Sequence, residues 1–228
     1  MNISILGAGV MGSIFARQLI AHHVISPDEL LLIDLDEEKL KSLQSELGCR
    51  VSVSYNAIAE SDVLLLAIKP QQFVSTAEEL CKYVATTTVV LSILAGTKIA
   101  TIRECLSCEK IVRIMPNTPA KVGCGMSGWY GENISAEEEQ IVHAILKTTG
   151  HSIQLASEGL IDSVTAISGS GPAYVFYFME QMVGEAVALG LSSEQARVLV
   201  LETFLGATEL AKLSHEELAV LRANVTSK

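Results

Sequence analysis

The sequence has few basic residues and no long apolar run. Sixteen Lys and Arg stand against 26 Asp and Glu, a formal net charge of −10 at pH 7, so a nucleic-acid or anionic-membrane partner is not expected. No apolar run reaches the roughly 18 residues of a membrane span; the longest candidate, 172–191, contains Glu180, Gln181 and Glu185. Residues 2–6 look like a strand rather than the basic start of a signal peptide. We therefore expect a cytoplasmic protein without a membrane segment.

A second cysteine pair is also missing. The chain has five cysteines, an odd number that favours free thiols in a chain of cytosolic character. Cys105 and Cys108 have metal or redox spacing, but a zinc site needs two more ligands. A thioredoxin-like pair would follow a strand, whereas this pair lies near the end of a predicted helix. We interpret both as ordinary thiols and predict no metal site.

What the sequence does contain is an alternation of apolar strands with helices. Strands that are apolar throughout and are spaced by helices indicate a parallel sheet covered on both faces. The predicted strands are 3–6, 30–33, 63–68, 88–94 and 111–115, with an extended segment at 123–131 and a last strand at 151–155. The predicted helices between them are 10–22, 36–47, 71–84, 98–106 and 135–149, the last opened by a capping box of Ser135 and Glu138.

Beyond about residue 157 the strand signal disappears. Helices are predicted near 158–167, 172–190, 193–212 and 215–223. Ser192 or Ser193 caps the third of these, and Ser214 with Glu217 forms a capping box for the fourth. The pattern predicts an α/β domain over 1–156 followed by an all-helical domain over 157–228.

The segment ILGAGVMG joins the first strand to the first helix. In Gly7-x-Gly9-x-x-Gly12 the first glycine permits the tight turn, the second admits a pyrophosphate, and the third lets helix and strand pack closely. The helix N-terminus then faces the diphosphate. Asp34 ends the next strand, 22 positions beyond Gly12, where an acidic residue contacts the ribose. The N-terminal domain is therefore predicted to be a Rossmann-like dinucleotide-binding domain with a mostly parallel sheet.

The stretch AISGSGPAYVFYF, residues 166–178, removes side chains just before a bulky apolar helix. We interpret Ser168-Gly169-Ser170-Gly171 as backbone that approaches a flat nicotinamide ring. Pro172 at the first helical position gives up no hydrogen bond that the helix needs. A plain helix cap with a flexible linker is the alternative. A nucleophile elbow would need glycine at residue 166, which is Ala166.

Six motifs in this order resemble pyrroline-5-carboxylate reductase over nearly the whole chain. They are GAGVMG (7–12), AIKPQ (67–71), SILAGTKI (92–99), RIMPNTPAKVGCG (113–125), SGSGPAY (168–174) and LRANVTSK (221–228). The resemblance implies an oxidoreductase that reduces the C=N bond of 1-pyrroline-5-carboxylate, a cyclic imino acid, to L-proline. NADH or NADPH would supply the hydride, in the last step of proline biosynthesis.

The resemblance also assigns residues. Cofactor contacts would come from Gly7, Ala8, Gly9, Val10, Met11, Gly12, Asn56, Ala67, Ile68, Lys69, Pro70 and Asn117. Substrate contacts would come from Glu158, Thr165, Ser168, Gly169, Asn224 and Ser227. Simpler interpretations stay open: a solvated charge for Lys69, a helix cap for Asn56, and a rigid structural loop for Asn117 and Thr118.

One departure concerns the C-terminal end. The family continues after the position of Ser227 with a Gly-Gly-Thr-Thr loop and further helices, whereas this sequence stops at Lys228. A truncated chain, a tail left out and a natural short form are the three explanations, and the sequence does not choose among them. The substrate carboxylate pocket is expected to be incomplete as written.

No catalytic dyad stands out, and the five histidines are scattered, so we assign no catalytic residue. Positioning alone favours hydride transfer to a protonated imine. A hydroxyacid dehydrogenase of the same layout would carry a lysine on the long helix, but 171–190 contain no lysine or arginine. A dinucleotide-binding protein that has lost catalysis is a further alternative.

Two more expectations concern the cofactor and the assembly. Asp34 would accept hydrogen bonds from the ribose hydroxyls. A 2′-phosphate in the same place would meet up to four acidic side chains over 34–38 and no nearby cation, unless Lys39 or Lys41 swings back towards it. NADH is therefore favoured over NADPH. The helix PAYVFYFMEQMVGEAVALGL is apolar over most of its circumference and must be buried on several sides, so we expect a homodimer through residues 160–228.

Overall fold

The computed structural model describes residues 1–226, and the chain packs as two compact units, Met1–Pro172 and Ala173–Lys228. The domain boundary predicted between residues 156 and 157 stays a prediction. Within the first unit, eight strands form one sheet in the order β3-β2-β1-β4-β5-β6-β7-β8. The strands are β1 (Ile3–Leu6), β2 (Leu30–Ile33), β3 (Arg50–Ser52), β4 (Val63–Leu66), β5 (Val89–Ser92), β6 (Ile111–Met115), β7 (Gly125–Glu132) and β8 (Gly150–Gln154).

The sheet is parallel except between β6 and β7, which confirms the predicted mostly parallel α/β fold. The first six strands have the order 3-2-1-4-5-6, which is found in dinucleotide-binding sheets. Strand β3 was not predicted from the sequence. It has only three residues, none fully buried, at the edge of the sheet, so it lacks the apolar run by which the other strands were found.

The helices are α1 (Val10–Ala21), α2 (Glu37–Leu47), α3 (Pro70–Leu80), α4 (Ile99–Leu106), α5 (Ala136–Lys147), α6 (Leu160–Val164), α7 (Gly171–Ala188), α8 (Ser193–Leu213) and α9 (Leu218–Asn224). The capping box of Ser135 and Glu138 is confirmed at α5. The box predicted from Ser214 and Glu217 is wrong: α9 begins later, with Glu217 itself at the cap position, and the Ser214 hydroxyl accepts from the Glu216 N–H at 3.0 Å.

Two apolar cores cover the two faces of the sheet. Because side chains alternate along a strand, Ile5 faces one core and Leu6 the other. Phe15 of α1 belongs to the first core, and Phe73 of α3 belongs to the second. Double coverage is what a parallel sheet requires, and it leaves the strand ends as the open edge.

A π-helical turn, Thr165–Gly169, follows α6 and precedes α7. The N–H of Ser170 donates to the carbonyl of Thr165, five residues back, at 2.8 Å. The sequence predicted an ordinary helix over 158–167. Helical patterning does not reveal a π-turn, since one inserted residue shifts the register without changing composition.

The second unit contains most of α7 together with α8 and α9. Large apolar side chains of α7 are exposed in the single chain, among them Phe176 at 60% and Phe178 at 63%. Of the helices in residues 1–226, none is long and apolar enough to cross a membrane. A cytoplasmic location stays a prediction.

Candidate active site

A cleft opens at the carboxyl ends of β1, β2 and β4. Strand β1 lies between β2 and β4, so the connections leave it in opposite directions, and ligands of such sheets bind where the strand order reverses. The cleft has a volume of about 300 Å³. Its lining includes Gly7, Gly9, Asp34, Lys39, Ala67 and Lys69.

The glycine loop is shaped by contacts that exclude side chains. Gly7 has φ +103°, and a Cβ there would lie 2.6 Å from the carbonyl oxygen of Ala67. A Cβ on Gly12 would overlap the carbonyl oxygen of Gly7. Gly9 differs, because no atom of the described chain lies within 4 Å of the place where its Cβ would be. The free space beside Gly9, at the start of α1, fits the pyrophosphate of a dinucleotide.

Asp34 follows β2 and binds the loop directly. Its Oδ2 accepts the Ala8 N–H at 2.7 Å, and its Oδ1 accepts the Asp36 N–H at 3.0 Å. A carboxylate has about four acceptor sites, so each oxygen keeps a lone pair for a ribose hydroxyl. The Lys39 ammonium lies 3.7 Å from Asp34 Oδ2 and 3.5 Å from Asp36 Oδ2. The premise that no cation is near Asp34 is therefore wrong.

Local hydrogen bonding also sets the charge of this corner. The backbone N–H of Lys39 donates to Asp36, which lowers the pKa of that carboxyl below its usual range, and the Lys39 ammonium lowers it further. Asp36 is thus firmly ionised at neutral pH. The corner of the cleft formed by Asp34, Asp36 and Lys39 therefore holds two carboxylates and one ammonium.

The segment after β4 supplies the opposite wall of the cleft. Ala67, Ile68 and Lys69 line it, and Pro70 opens α3. The Ala67 N–H donates to the Leu6 carbonyl at 2.8 Å. The roles predicted for these residues, and for Val10 and Met11 at the start of α1, stay predictions. So does that of Asn56, which is exposed beside Tyr55, a residue of the cleft.

A second group of predicted residues gathers beyond the end of β6. The Asn117 amide donates to the Ser168 carbonyl at 3.1 Å and approaches its hydroxyl at 3.4 Å, while Asn117 Oδ1 accepts the Met126 N–H at 2.9 Å. A Cβ on Gly169 would lie 3.3 Å from the sulfur of Met115. The structure therefore brings Asn117, Ser168 and Gly169 together at the same edge of the sheet as the glycine loop.

Glu158 is held by a buried arginine that sequence reasoning missed. Arg113, 3% exposed, donates to Glu158 at 3.1 Å and to Asp162 at 3.2 Å. Glu158 also accepts the Ile99 N–H at the start of α4, at 2.8 Å. One charged residue within the apolar run IVRIM was the available signal, since a buried charge needs partners. The substrate role predicted for Glu158 stays a prediction.

The other predicted substrate residues make local contacts. The Thr165 hydroxyl donates to the Ile161 carbonyl at 2.8 Å, one turn back. In the second unit, Asn224 donates to Glu216 at 3.4 Å. Ser227 lies outside the described residues. Within residues 1–226, no three His, Cys, Asp or Glu side chains converge as a metal site would require.

The sheet order, the open glycine loop and the acidic residue after β2 place the first unit in the class of Rossmann-like dinucleotide-binding domains. Comparison with family models agrees in both halves. Residues 2–96 match the family described as NADP oxidoreductase coenzyme F420-dependent. Residues 158–228 match the family described as pyrroline-5-carboxylate reductase dimerisation.

The chain belongs to the pyrroline-5-carboxylate reductase family. It is 36% identical to the pyrroline-5-carboxylate reductase of Methanosarcina acetivorans over 99% of this chain and 84% of that protein. The solved pyrroline-5-carboxylate reductase structure from Coxiella burnetii superimposes with a TM-score of 0.90 at 31% identity, over 100% of this chain and 85% of that one. The Plasmodium falciparum pyrroline carboxylate reductase, solved with NADP bound, gives a TM-score of 0.90 at 29% identity over the same shares. The resemblance inferred from the sequence motifs is confirmed.

Proposed function

We propose that this protein reduces the C=N bond of 1-pyrroline-5-carboxylate to L-proline with a hydride from NADH or NADPH. The observation that carries the proposal is whole-length similarity to proteins of that name, combined with a glycine loop whose Gly9 faces unfilled space. A reductase needs a glycine loop that leaves room for the dinucleotide, whereas a relative that had lost catalysis would not have to keep that loop open.

The chemistry asks mainly for positioning. The bound nicotinamide ring supplies the hydride. The glycine loop and the wall formed by Ala67, Ile68 and Lys69 hold the dinucleotide, and the turn at Ser168 and Gly169 offers backbone with little side chain at the same edge. Orientation of this kind accounts for about 7–11 kcal/mol of barrier lowering in well-aligned reactions. We assign no side chain as the proton donor to the imine nitrogen.

Turnover tests the proposal directly. Full-length protein is mixed with 1-pyrroline-5-carboxylate and either cofactor, and the loss of reduced-nicotinamide absorbance is followed together with the formation of proline. Gly9→Val should abolish dinucleotide binding at little cost in melting temperature, because the chain itself leaves that space free. Ala21→Val, on the exposed far end of the same helix, is the matched control. Binding of NADH without turnover of the imine would contradict the proposal.

A hydroxyacid dehydrogenase is less well supported. Helix α7 carries no lysine or arginine to exchange a proton with an alcohol oxygen. Oxidation of 2- or 3-hydroxy acids with NAD, in preference to imine reduction, would favour this alternative. A dinucleotide-binding protein without catalysis would bind NADH and turn over neither substrate.

We further propose that NADH is preferred over NADPH. Asp34 keeps acceptor capacity for the two ribose hydroxyls, whereas a 2′-phosphate would approach two carboxylates, Asp34 and Asp36. The Lys39 ammonium reduces the repulsion between a 2′-phosphate and these carboxylates but does not cancel it, because one positive charge faces two negative ones.

We also propose that the active form is a homodimer built by the C-terminal helices. Residues 158–228 match a dimerisation family, and aromatic side chains of α7 such as Tyr174, Phe176 and Phe178 are more than half exposed in the single chain. Exposed apolar area of this kind marks an interface. Light scattering of the full-length protein at micromolar concentration should give twice the chain mass; a monomer throughout would contradict the proposal.

A further inference from the structure

The π-turn Thr165–Gly169 is tied to the sheet at both of its ends. At its start, α6 is held through Asp162 by the buried Arg113 of β6. At its far end, the Ser168 carbonyl accepts the Asn117 amide at 3.1 Å. Asn117 lies two residues beyond β6, so both ties come from one strand and its extension.

The Asn117 side chain has its orientation determined by its partners. The Met126 N–H can only donate, so it must face Oδ1, at 2.9 Å. The amide nitrogen is then left to donate to the Ser168 carbonyl, which can only accept. Asn117 therefore joins β7 to the π-turn with one acceptor and one donor, a combination that neither Asp⁻ nor Ala provides.

A π-turn needs such support. Single π-turns are rare in helices and often lie at functional sites. Here the i→i+5 bond from Ser170 to Thr165 accounts for one carbonyl, while the Ser168 carbonyl is satisfied from outside the helix. Without the Asn117 donor, the partly buried carbonyl would lose its protein partner, and the turn could relax to an ordinary helical register.

We propose that Asn117 is a positioning residue: it holds the Ser168–Gly169 backbone at the edge of the sheet where the glycine loop lies, and so sets the backbone surface presented to the nicotinamide and the imine. The proposal rests on the proposed reductase function, but it concerns how the turn is held and not which substrate is reduced. Asn117 acts through Ser168, so its loss should lower kcat while the KM for the dinucleotide changes little.

Asn117→Asp supplies the decisive test, because its effect depends on protonation. Ionised, the carboxylate still accepts from Met126 but repels the Ser168 carbonyl; protonated, it donates again. We expect kcat, relative to wild type at the same pH, to fall on the order of ten- to a hundredfold at pH 8 and to recover as the pH approaches the carboxyl pKa of about 4. Asn117→Ala should show a loss that is independent of pH.

Asn133→Asp is the matched control. Asn133 also donates to a carbonyl, that of Glu109 at 3.3 Å, but it lies at the opposite end of β6 and β7. The kcat of Asn133→Asp, relative to that of wild type at the same pH, should stay near one at every pH. Equal ratios for Asn117→Asp at pH 8 and pH 4, or full activity at pH 8, would overturn the proposal.

Hydrogen–deuterium exchange separates this proposal from the proposed function. A peptide covering residues 160–175 should exchange faster in Asn117→Asp than in wild type at pH 8, with the difference shrinking at low pH. This readout needs no turnover, so an inactive wild type would refute the reductase function while the exchange still decides the role of Asn117. Should Asn117→Asp not fold at pH 8, Asn117→Ala gives the comparison: unchanged exchange in that peptide refutes the proposal.

Discussion

The charges around Asp34, where we propose that the ribose binds, give the sharpest prediction about cofactor choice. At that corner Asp34 and Asp36 provide two carboxylates, and Lys39 lies within 3.7 Å of both. A bound 2′-phosphate would therefore meet one net negative charge. We expect wild-type protein to prefer NADH, and we expect Lys39→Met to strengthen that preference because it removes the ammonium that lies within 4 Å of both carboxylates.

The size of the effect follows from the geometry. Two like unit charges about 4 Å apart repel by about 1 kcal/mol in water and by about 4 kcal/mol at an effective dielectric constant of 20. The Asp34 side chain is 19% exposed and that of Lys39 41%, so solvent screens the corner and the lower part of this range applies. One net charge then corresponds to about tenfold in kcat/KM. Removing Lys39 should add about another tenfold.

The assay is the ratio of kcat/KM for NADH and NADPH at one pH and one salt concentration. Lys41→Met, on the same helix but paired with Glu37 and 71% exposed, is the matched control and should leave the ratio unchanged. Asp34→Ser with Leu35→Arg should reverse the preference. A wild type that prefers NADPH, or equal ratios for the Lys39 and Lys41 variants, would refute the reasoning. High salt should shrink all these differences.

Three further outcomes are expected. Gly171→Val should lower turnover more than tenfold with little change in melting temperature, because no described atom lies within 4 Å of the added Cβ and valine is not worse than glycine in a helix; equal damage to both would favour a plain linker. Burial raises the pKa of Glu138, but hydrogen bonds from Lys110 and the Ser135 backbone lower it to a net value below the usual one. The contribution of ionised Glu138 to stability is therefore present above about pH 4.3 and is lost as the pH falls through the lowered pKa. Urea titration should accordingly show that Lys110→Met lowers the free energy of unfolding by about 1 kcal/mol at pH 6 and by less at pH 3. Burial raises the pKa of Cys108 to about 11, so alkylation of native protein at pH 7.5 should label the exposed Cys124 and spare Cys108; mass spectrometry of the labelled peptides decides.

The sequence predicted the elements whose signal is local. The apolar runs of β1, β2, β4, β5 and β6 and the glycine loop each reveal themselves within a few residues. Strand β3 escaped because an edge strand of three partly exposed residues carries no apolar run. The late start of α9 escaped because Ser214 uses its hydroxyl in a local turn before the helix begins.

The candidate site was predictable in its outline but not in its pairings. The motif predicted a ribose contact for Asp34, which stays a prediction, and the structure adds that its carboxylate accepts the Ala8 N–H of the glycine loop. The sequence left open whether Lys39 or Lys41 would turn back to this carboxylate, and nothing local showed that Arg113 would hold Glu158, 45 residues further along the chain. Such pairs depend on which strand ends become neighbours, so they require the fold and not the motif alone.

The glycines divide into those that the chain needs and those that it does not. Gly7 and Gly12 are required by the protein's own backbone, since a Cβ on either would collide with a carbonyl group. Gly9 and Gly171 have no described atom within 4 Å of the position that a Cβ would occupy, so packing within this chain does not explain them. Gly9 lines the cleft that we propose for the dinucleotide, and Gly171 begins α7 shortly after the π-turn whose Ser168 carbonyl accepts the Asn117 amide. Gly159, Gly184 and Gly206 have equally free space, so space alone does not identify a ligand. At Gly9 the lining of the cleft supports the proposed dinucleotide, and at Gly171 the substitution to valine decides whether close backbone approach or a plain linker explains the glycine.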